Sequence, residues 1–291
     1  MTASTPAVRA VHDLRMTITS LTAVPASGSL GAAVHGVDLR QPLDDAAVEQ
    51  LLALLDEHLV LFFPGQDIDD AQQLAFALRF GQPYVHPLAK LRGVTTSEVG
   101  HIVDSVETPP YQDRWHTDVS WDFEPPTYGV LRAIEMPDRG GDTLWANAYA
   151  AYDALSAPMQ QAIAGLQALH DMGSARAFVS KAGGELVART QAEYPGAVWP
   201  VVGTHPRTGR RYLNVNSQFT AHIVGMEPHE SAAILRVLTD KFLNPNLQLR
   251  YRWTVGDVAI WDERSTQHFA VADYLPARRE MARVVVRVAG T

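Results

Sequence analysis

The chain has 291 residues, 46% hydrophobic and 19% charged, with a formal charge of −8 and a pI near 5.7. That is the profile of a soluble globular protein able to bury a large core, and its acidity without any Lys/Arg run argues against a general nucleic-acid binder. The absence of cysteine excludes disulfides, Fe–S clusters and thiolate zinc sites, and the longest strongly apolar run, Leu59 to Pro64, is far too short to cross a membrane.

The segment Met1–Arg15 carries Arg9, Asp13 and Arg15 and has no apolar signal core, so we expect a flexible leader (1–15). One domain (16–291) of a cytoplasmic protein should follow, with Met16 as an alternative start. Met16–Val24 and Gly31–Leu39 read as short strands. Asp44-Asp45 caps a helix with Val48, Leu51, Leu52 and Leu55 on one face. Leu59–Phe63 is a buried strand stopped by Pro64-Gly65, and Asp69 opens a helix through Phe80.

Further strands are expected at His101–Val106, Tyr128–Ile134 and Thr143–Asn147, and helices at Ala148–Leu155, Ala157–Leu169 and Pro228–Leu243. The last third returns to strands at Trp199–Thr204, Arg211–Val215, Leu249–Trp253, Val258–Trp261 and Met281–Val288. Many short strands with a few flanking helices predict a mainly β, double-sheet jelly roll. The loops Gln82–Gly100, Glu107–Arg114 and Ser174–Gly196 are candidate lids.

His116-Thr117-Asp118 carries the chemistry. An imidazole and a carboxylate two residues apart point to one side of a strand. A distant imidazole, His268 in the segment Trp261–His268, can close one face of a metal and leave the other positions open. Two His and one carboxylate are the ligand set of non-haem Fe(II) oxygenases. His116 should sit at a strand edge and His268 on a loop after the strand Val258–Trp261. The bland alternative is two unrelated surface histidines.

Arg279 and Arg283 share one face of the last strand by alternation, with 281, 285 and 287. An arginine pointing into a barrel needs an anion, and its planar fork suits a carboxylate or sulfonate. On an edge strand both would merely be solvated. Thr143, in Gly140-Gly141-Asp142-Thr143, could donate to the same anion.

The segments WHTDVS (Trp115–Ser120), GGDTLWAN (Gly140–Asn147), GDVAIWD (Gly256–Asp262), TQH (Thr266–His268) and ADYLPARR (Ala272–Arg279) occur in this order. Together they resemble the taurine dioxygenase and alkylsulfatase branch of the Fe(II)/2-oxoglutarate-dependent dioxygenases, over nearly the whole chain. The resemblance implies a double-stranded β-helix of the jelly-roll, cupin-like type. It implies His116, Asp118 and His268 as catalytic iron ligands, Thr143 and Arg279 on the distal carboxylate of 2-oxoglutarate, and Arg283 and His86 on the substrate anion. Gln112, Val119 and Phe219 complete the implied substrate pocket, with Tyr84 and Trp121 beside it.

Three positions depart from the taurine enzymes. Ala89 stands where they carry Tyr and Gln112 where they carry Asn, and a pocket-wall aromatic falls near Arg176 rather than on Phe178. The expected reaction is hydroxylation of a small organic anion beside its anionic group, with 2-oxoglutarate and O₂ as cosubstrates of Fe(II). An alkyl sulfonate or alkyl sulfate ester would give aldehyde plus sulfite or sulfate, with succinate and CO₂. A carboxylate substrate such as an aryloxyalkanoate, a non-catalytic 2-oxoglutarate or metal sensor, and a zinc hydrolase are the competing readings. The resemblance also implies a homo-oligomer, a dimer or tetramer. Other histidines, His101, His170 and His205 among them, are expected in core, turn or surface positions.

Overall fold

The structure is a computed structural model that describes residues 21–96, 98–110, 114–172 and 184–290. The expected leader, Gln112, Arg176 and Phe178 lie outside them, as does the start of the expected strand Met16–Val24. The first strands are β1 (Thr22–Pro25), β2 (Ala32–His35), β3 (Val60–Phe63), β4 (Gln82–Pro83), β5 (Gly100–Asp104), β6 (Tyr128–Glu135), β7 (Thr143–Asn147) and β8 (Gln167–His170). The rest are β9 (Ala197–Pro200), β10 (Val202–Thr204), β11 (Arg211–Leu213), β12 (Thr220–Ile223), β13 (Gln248–Tyr251), β14 (Val258–Asp262), β15 (Thr266–Ala270) and β16 (Arg279–Arg287).

An eight-stranded sheet runs β1-β2-β3-β14-β6-β16-β4, with β5 also paired to β16. A smaller sheet runs β13-β7-β15, and β12-β8-β9 and β10-β11 form two more. Strand β14 shows how the sequence builds two cores from one strand. Val258 and Ile260 face helices α1 (Asp45–His58) and α2 (Asp70–Ala77), while Ala259 and Trp261 face the smaller sheet with Trp145 and Leu249. Burial on both faces explains its unbroken apolar run. Beside it, Gly129 of β6 is required by packing, because a Cβ there would run into the Trp261 indole. Among the described residues no helix is long and apolar enough to cross a membrane.

Capping follows the expected chemistry. Asp44 accepts the Ala47 N–H at 2.8 Å, and Asp69 forms a reciprocal capping box with Gln72. The expected lid segments contain short helices, α3 (Pro87–Leu91) in one and α6 (Gly184–Glu193) in another.

Three expectations are corrected and one strand was not expected. The helix expected over Ala148–Leu155 forms as α4 (Ala148–Asp153), whereas the one expected over Ala157–Leu169 ends as α5 (Ala157–Ile163), just before Gly165, and Gln167–His170 becomes β8. There Ala168 and His170 alternate inward, and strands on both sides satisfy the backbone. The expected strand Trp199–Thr204 breaks after Pro200, where the Val201 N–H turns to the Leu166 carbonyl at 2.9 Å. Strand β12 carries no alternation strong enough to announce it. His268 lies within strand β15, not on a loop.

Candidate metal centre and active site

The first and last sequence-predicted ligands meet through the backbone. His116 and His268 form an isolated antiparallel bridge, His116 N–H to His268 O at 3.1 Å and His268 N–H to His116 O at 2.8 Å. The turn before β15 is set by Asp262, whose Oδ1 accepts the Arg264 N–H at 2.8 Å as an Asx-turn does. Thr266 Oγ1 donates to the Asp262 carbonyl at 2.7 Å and Thr117 Oγ1 to the Thr266 carbonyl at 3.2 Å, which locks the two ligand segments together.

His116, Asp118 and His268 are buried and offer ligand atoms all within 4.8 Å of one another. The imidazole Nε2 atoms lie 3.7 Å (His116) and 3.9 Å (His268) from Asp118 Oδ1. His116 Nδ1 donates to the Arg114 carbonyl at 2.8 Å, so its Nε2 keeps a lone pair. That Nε2 is buried with no hydrogen-bond partner, an arrangement costly for a polar atom unless something else takes the lone pair. Two nitrogen donors and one oxygen donor with open positions fit a divalent iron.

Charges are arranged to match. Burial, and for His268 also the neighbouring His116, holds both imidazoles below the usual histidine range, which favours the neutral, metal-binding form. Burial alone would raise the Asp118 carboxyl, but Arg283 and the two imidazoles outweigh it and bring it to about 2. Behind these residues lies Glu263, whose Oε2 accepts the Asp118 N–H at 3.0 Å and whose Oε1 accepts the Trp261 indole N–H at 2.8 Å. Burial and the Asp118 charge push the Glu263 carboxyl well above its ordinary range.

Both arginines lie on β16, which is paired on both flanks rather than at an edge. Arg283 Nη1 sits 3.2 and 3.1 Å from the Asp118 oxygens. Arg279 is buried, donates from Nε to the Gly141 carbonyl at 3.0 Å, and lies 3.7 Å from Asp104 Oδ2. Gly141, with φ +72°, leaves the room that the Arg279 side chain occupies. Thr143 pairs with Ala270 in the ladder where Trp145 pairs with His268, so Thr143 and His268 share one sheet face. Thr143 Oγ1 accepts the Trp253 indole N–H at 3.0 Å, which leaves its own proton to donate.

Tyr84, Val119, Trp121, Met172, Phe219 and Val285 form a separate apolar cluster beside these charges. The Phe219 ring meets His116 edge-on at 6.2 Å, and Trp121 meets His86 at 6.0 Å. The Tyr84 hydroxyl is turned to Asp122 at 2.7 Å, so its ring is what it gives the wall. His86 Nδ1 accepts the Leu88 N–H at 3.1 Å, which leaves the ring proton on Nε2. Burial and Arg283 bring His86 to about 4, so near neutrality it offers an anion a neutral N–H donor.

Val119 has φ +51°, an uncommon conformation for a β-branched residue and one found where a site holds the backbone in place. Ser120 helps hold it there. Its Oγ meets His170 Nδ1 at 3.0 Å and Asn216 Nδ2 at 3.1 Å, and its carbonyl accepts the Trp199 indole N–H at 2.8 Å.

The structure thus brings His116, Asp118, His268, Arg283 and Phe219 together, with Val119, Tyr84 and Trp121 in the apolar wall and His86 against it. Arg279 lies on β16 with Arg283, Thr143 lies on β7 beside the strand of His268, and Gln112 is outside the described residues. Sequence reasoning missed Glu263 and Met172. Strand alternation already puts Val285 on the face of Arg283, whereas nothing local marks Met172.

Comparison with known proteins matches residues 20–285 to the taurine catabolism dioxygenase TauD, TfdA family. The chain is 35% identical over 271 residues to an alpha-ketoglutarate-dependent sulfate ester dioxygenase of Pseudomonas putida, covering 90% of this chain and 88% of that one. It is 34% identical over 269 residues to an alkylsulfatase of Acinetobacter baylyi, covering 89% and 83%. A taurine dioxygenase structure from Burkholderia xenovorans superposes with a TM-score of 0.76 at 33% identity, covering 92% and 91%, which agrees with the jelly-roll expectation. This chain belongs to the TauD/TfdA family and is a dioxygenase that uses Fe(II), with 2-oxoglutarate (alpha-ketoglutarate) and O₂ as cosubstrates.

Proposed function

We propose that this chain hydroxylates a small organic anion on the carbon next to its anionic group, with alkyl sulfate esters and apolar alkyl sulfonates as substrates. His116, Asp118 and His268 hold the iron, Thr143 and Arg279 take the distal carboxylate of 2-oxoglutarate, and Arg283 with His86 holds the substrate anion. When bound, the iron centre with its cosubstrates supplies the oxidising power, one oxygen atom going to the substrate carbon and one to succinate. The hydroxylated sulfate or sulfonate then collapses to an aldehyde with loss of sulfate or sulfite.

The carrying observation is the Arg283 guanidinium beside Asp118, with an apolar wall of Val119, Trp121, Phe219 and Val285 next to it. A cation at the floor and aromatic sides suit an anion with an apolar tail. The wall has fewer places for the ammonium of taurine, and Ala89 adds no polar group. His86 contributes orientation without a second positive charge. Together these groups place a C–H bond, the positioning that enzymes turn into rate. Relatives named for sulfate esters support the sulfur-oxyanion choice. The proposal includes a cytoplasmic homo-oligomer built from one domain per chain.

The test is an anaerobic Fe(II) and 2-oxoglutarate titration, watched for the weak visible band of the chelate, in the wild type and His116→Ala. A band in the wild type, lost in the variant, supports the metal assignment, and no band in folded, iron-loaded protein overturns it. Succinate release is then scored across alkyl sulfates, alkyl sulfonates, taurine and aryloxyalkanoates. Turnover with non-sulfur acids alone would overturn the substrate assignment.

A further inference from the structure

We propose that Glu263 is a positioning residue of the metal centre: its carboxylate takes the Nδ1 proton of His268 and fixes that ring's tautomer and orientation while Nε2 faces the metal. The inference rests on the metal reading above, and the geometry leads to it. His268 Nε2 faces Asp118, whereas Nδ1 points the other way, buried and without a hydrogen-bond partner. Glu263 Oε2 stands 4.0 Å from that Nδ1, beyond hydrogen-bond length but reached by a small rotation of the ring.

The carboxylate is held for the task. Its two oxygens accept the Asp118 N–H and the Trp261 indole N–H, and the Trp261 ring also lies against His268 with centroids 5.1 Å apart. One buried side chain therefore touches the backbone of one ligand, the neighbour of another, and the back of that second imidazole. A metal-bound imidazole usually gives its other N–H to a carboxylate or carbonyl. His116 uses the Arg114 carbonyl, and Glu263 is the acceptor placed for His268. A carboxylate acceptor makes the imidazole a stronger donor than a carbonyl would.

The test uses Co(II), whose visible bands report ligand geometry, added to metal-free full-length protein. Glu263→Gln and Glu263→Met are each expected to bind Co(II) about 10- to 100-fold more weakly than the wild type with altered bands. The thermal midpoint of both metal-free variants should fall, more for Glu263→Met, because the Asp118 N–H and the Trp261 indole N–H lose acceptors, so the Co(II) bands are the deciding readout. Weaker Co(II) binding with wild-type bands would show a merely structural role and overturn the proposal. Wild-type affinity and bands in either variant would also overturn it. If both variants fail to fold, proton NMR of Co(II)-loaded wild type decides. Two slowly exchanging ring N–H signals, one per histidine, are expected, and a rapidly exchanging His268 signal overturns the idea. Failure of the wild type itself to bind Co(II) would instead sink the metal reading.

Discussion

Arg283, on strand β16, and Asp118, in a turn far away in the chain, stand 3.1–3.2 Å apart, so the cation proposed for substrate is also the counter-ion of a proposed metal ligand. Substrate anchoring and metal-centre charge are thereby joined in one contact. Removing the cation should affect both, but unequally.

Arg283→Ala is expected to lower kcat/KM for an alkyl sulfate on the order of 100-fold, from about 2–5 kcal/mol for a lost buried charge contact. The anaerobic chelate band should persist, because the three ligand side chains stay. Arg283→Lys should recover only part of the loss, since an ammonium cannot offer a planar fork. Parallel substrate kinetics and band titrations of the two variants check this.

His170 gives a pH dependence with a definite sign. Burial lowers it to about 4, against an unfolded value near 6.5, so the unfolded chain binds the extra proton first. Stability is therefore full above about pH 6.5 and declines as pH falls toward 4, by about 3 kcal/mol at 1.36 kcal/mol per unit. His170→Asn should flatten this slope in metal-free protein, read by denaturant unfolding at several pH values. A slope equal to the wild type would refute the assignment.

Gly129→Ala places a methyl group where the Trp261 indole lies. Overpacking of this kind costs about 1–3 kcal/mol. Since Trp261 also lies against His268 and donates to Glu263, the displaced ring should weaken metal affinity as well. Gly28→Ala, at a position with nothing nearby, is the control expected to change neither. Calorimetry and metal titration on both variants give the comparison.

Thr143→Val removes one hydroxyl and keeps the shape. The KM for 2-oxoglutarate is expected to rise about tenfold, worth ~1.4 kcal/mol, as for one hydrogen bond to a charged group. Metal affinity should be unchanged. The Trp253 indole loses its acceptor in the same variant, so a drop in thermal midpoint is expected alongside.

Much of the site was legible because its residues obey simple periodicities. Two-residue alternation aligned Arg279 with Arg283 on β16 and chain order supplied His268, whereas Asp118 reaches His116 from a turn rather than along a strand. Strand content was legible where one strand is buried on both faces, as in Val258–Trp261. What failed did so for tertiary reasons. Leu166–Leu169 suits either a helix or a strand, and pairing on both sides of β8 decides. His268 lies just after a turn set by Asp262, so its strand depends on partners far away in the chain, His268 itself on Trp145. Glu263 was invisible because a charged residue after an apolar strand ordinarily faces water, and only the packing of Trp261 and Asp118 keeps it inside.

The backbone bridge between His116 and His268 joins residues more than half the chain apart. A ribosome releasing this protein from its N-terminus has already extruded His116 and Asp118 long before His268 exists. The nascent chain thus carries only two of the three proposed ligands until its last strands arrive. Assembly of the proposed centre waits for the completion of the polypeptide, so a product truncated before β15 lacks its third proposed ligand.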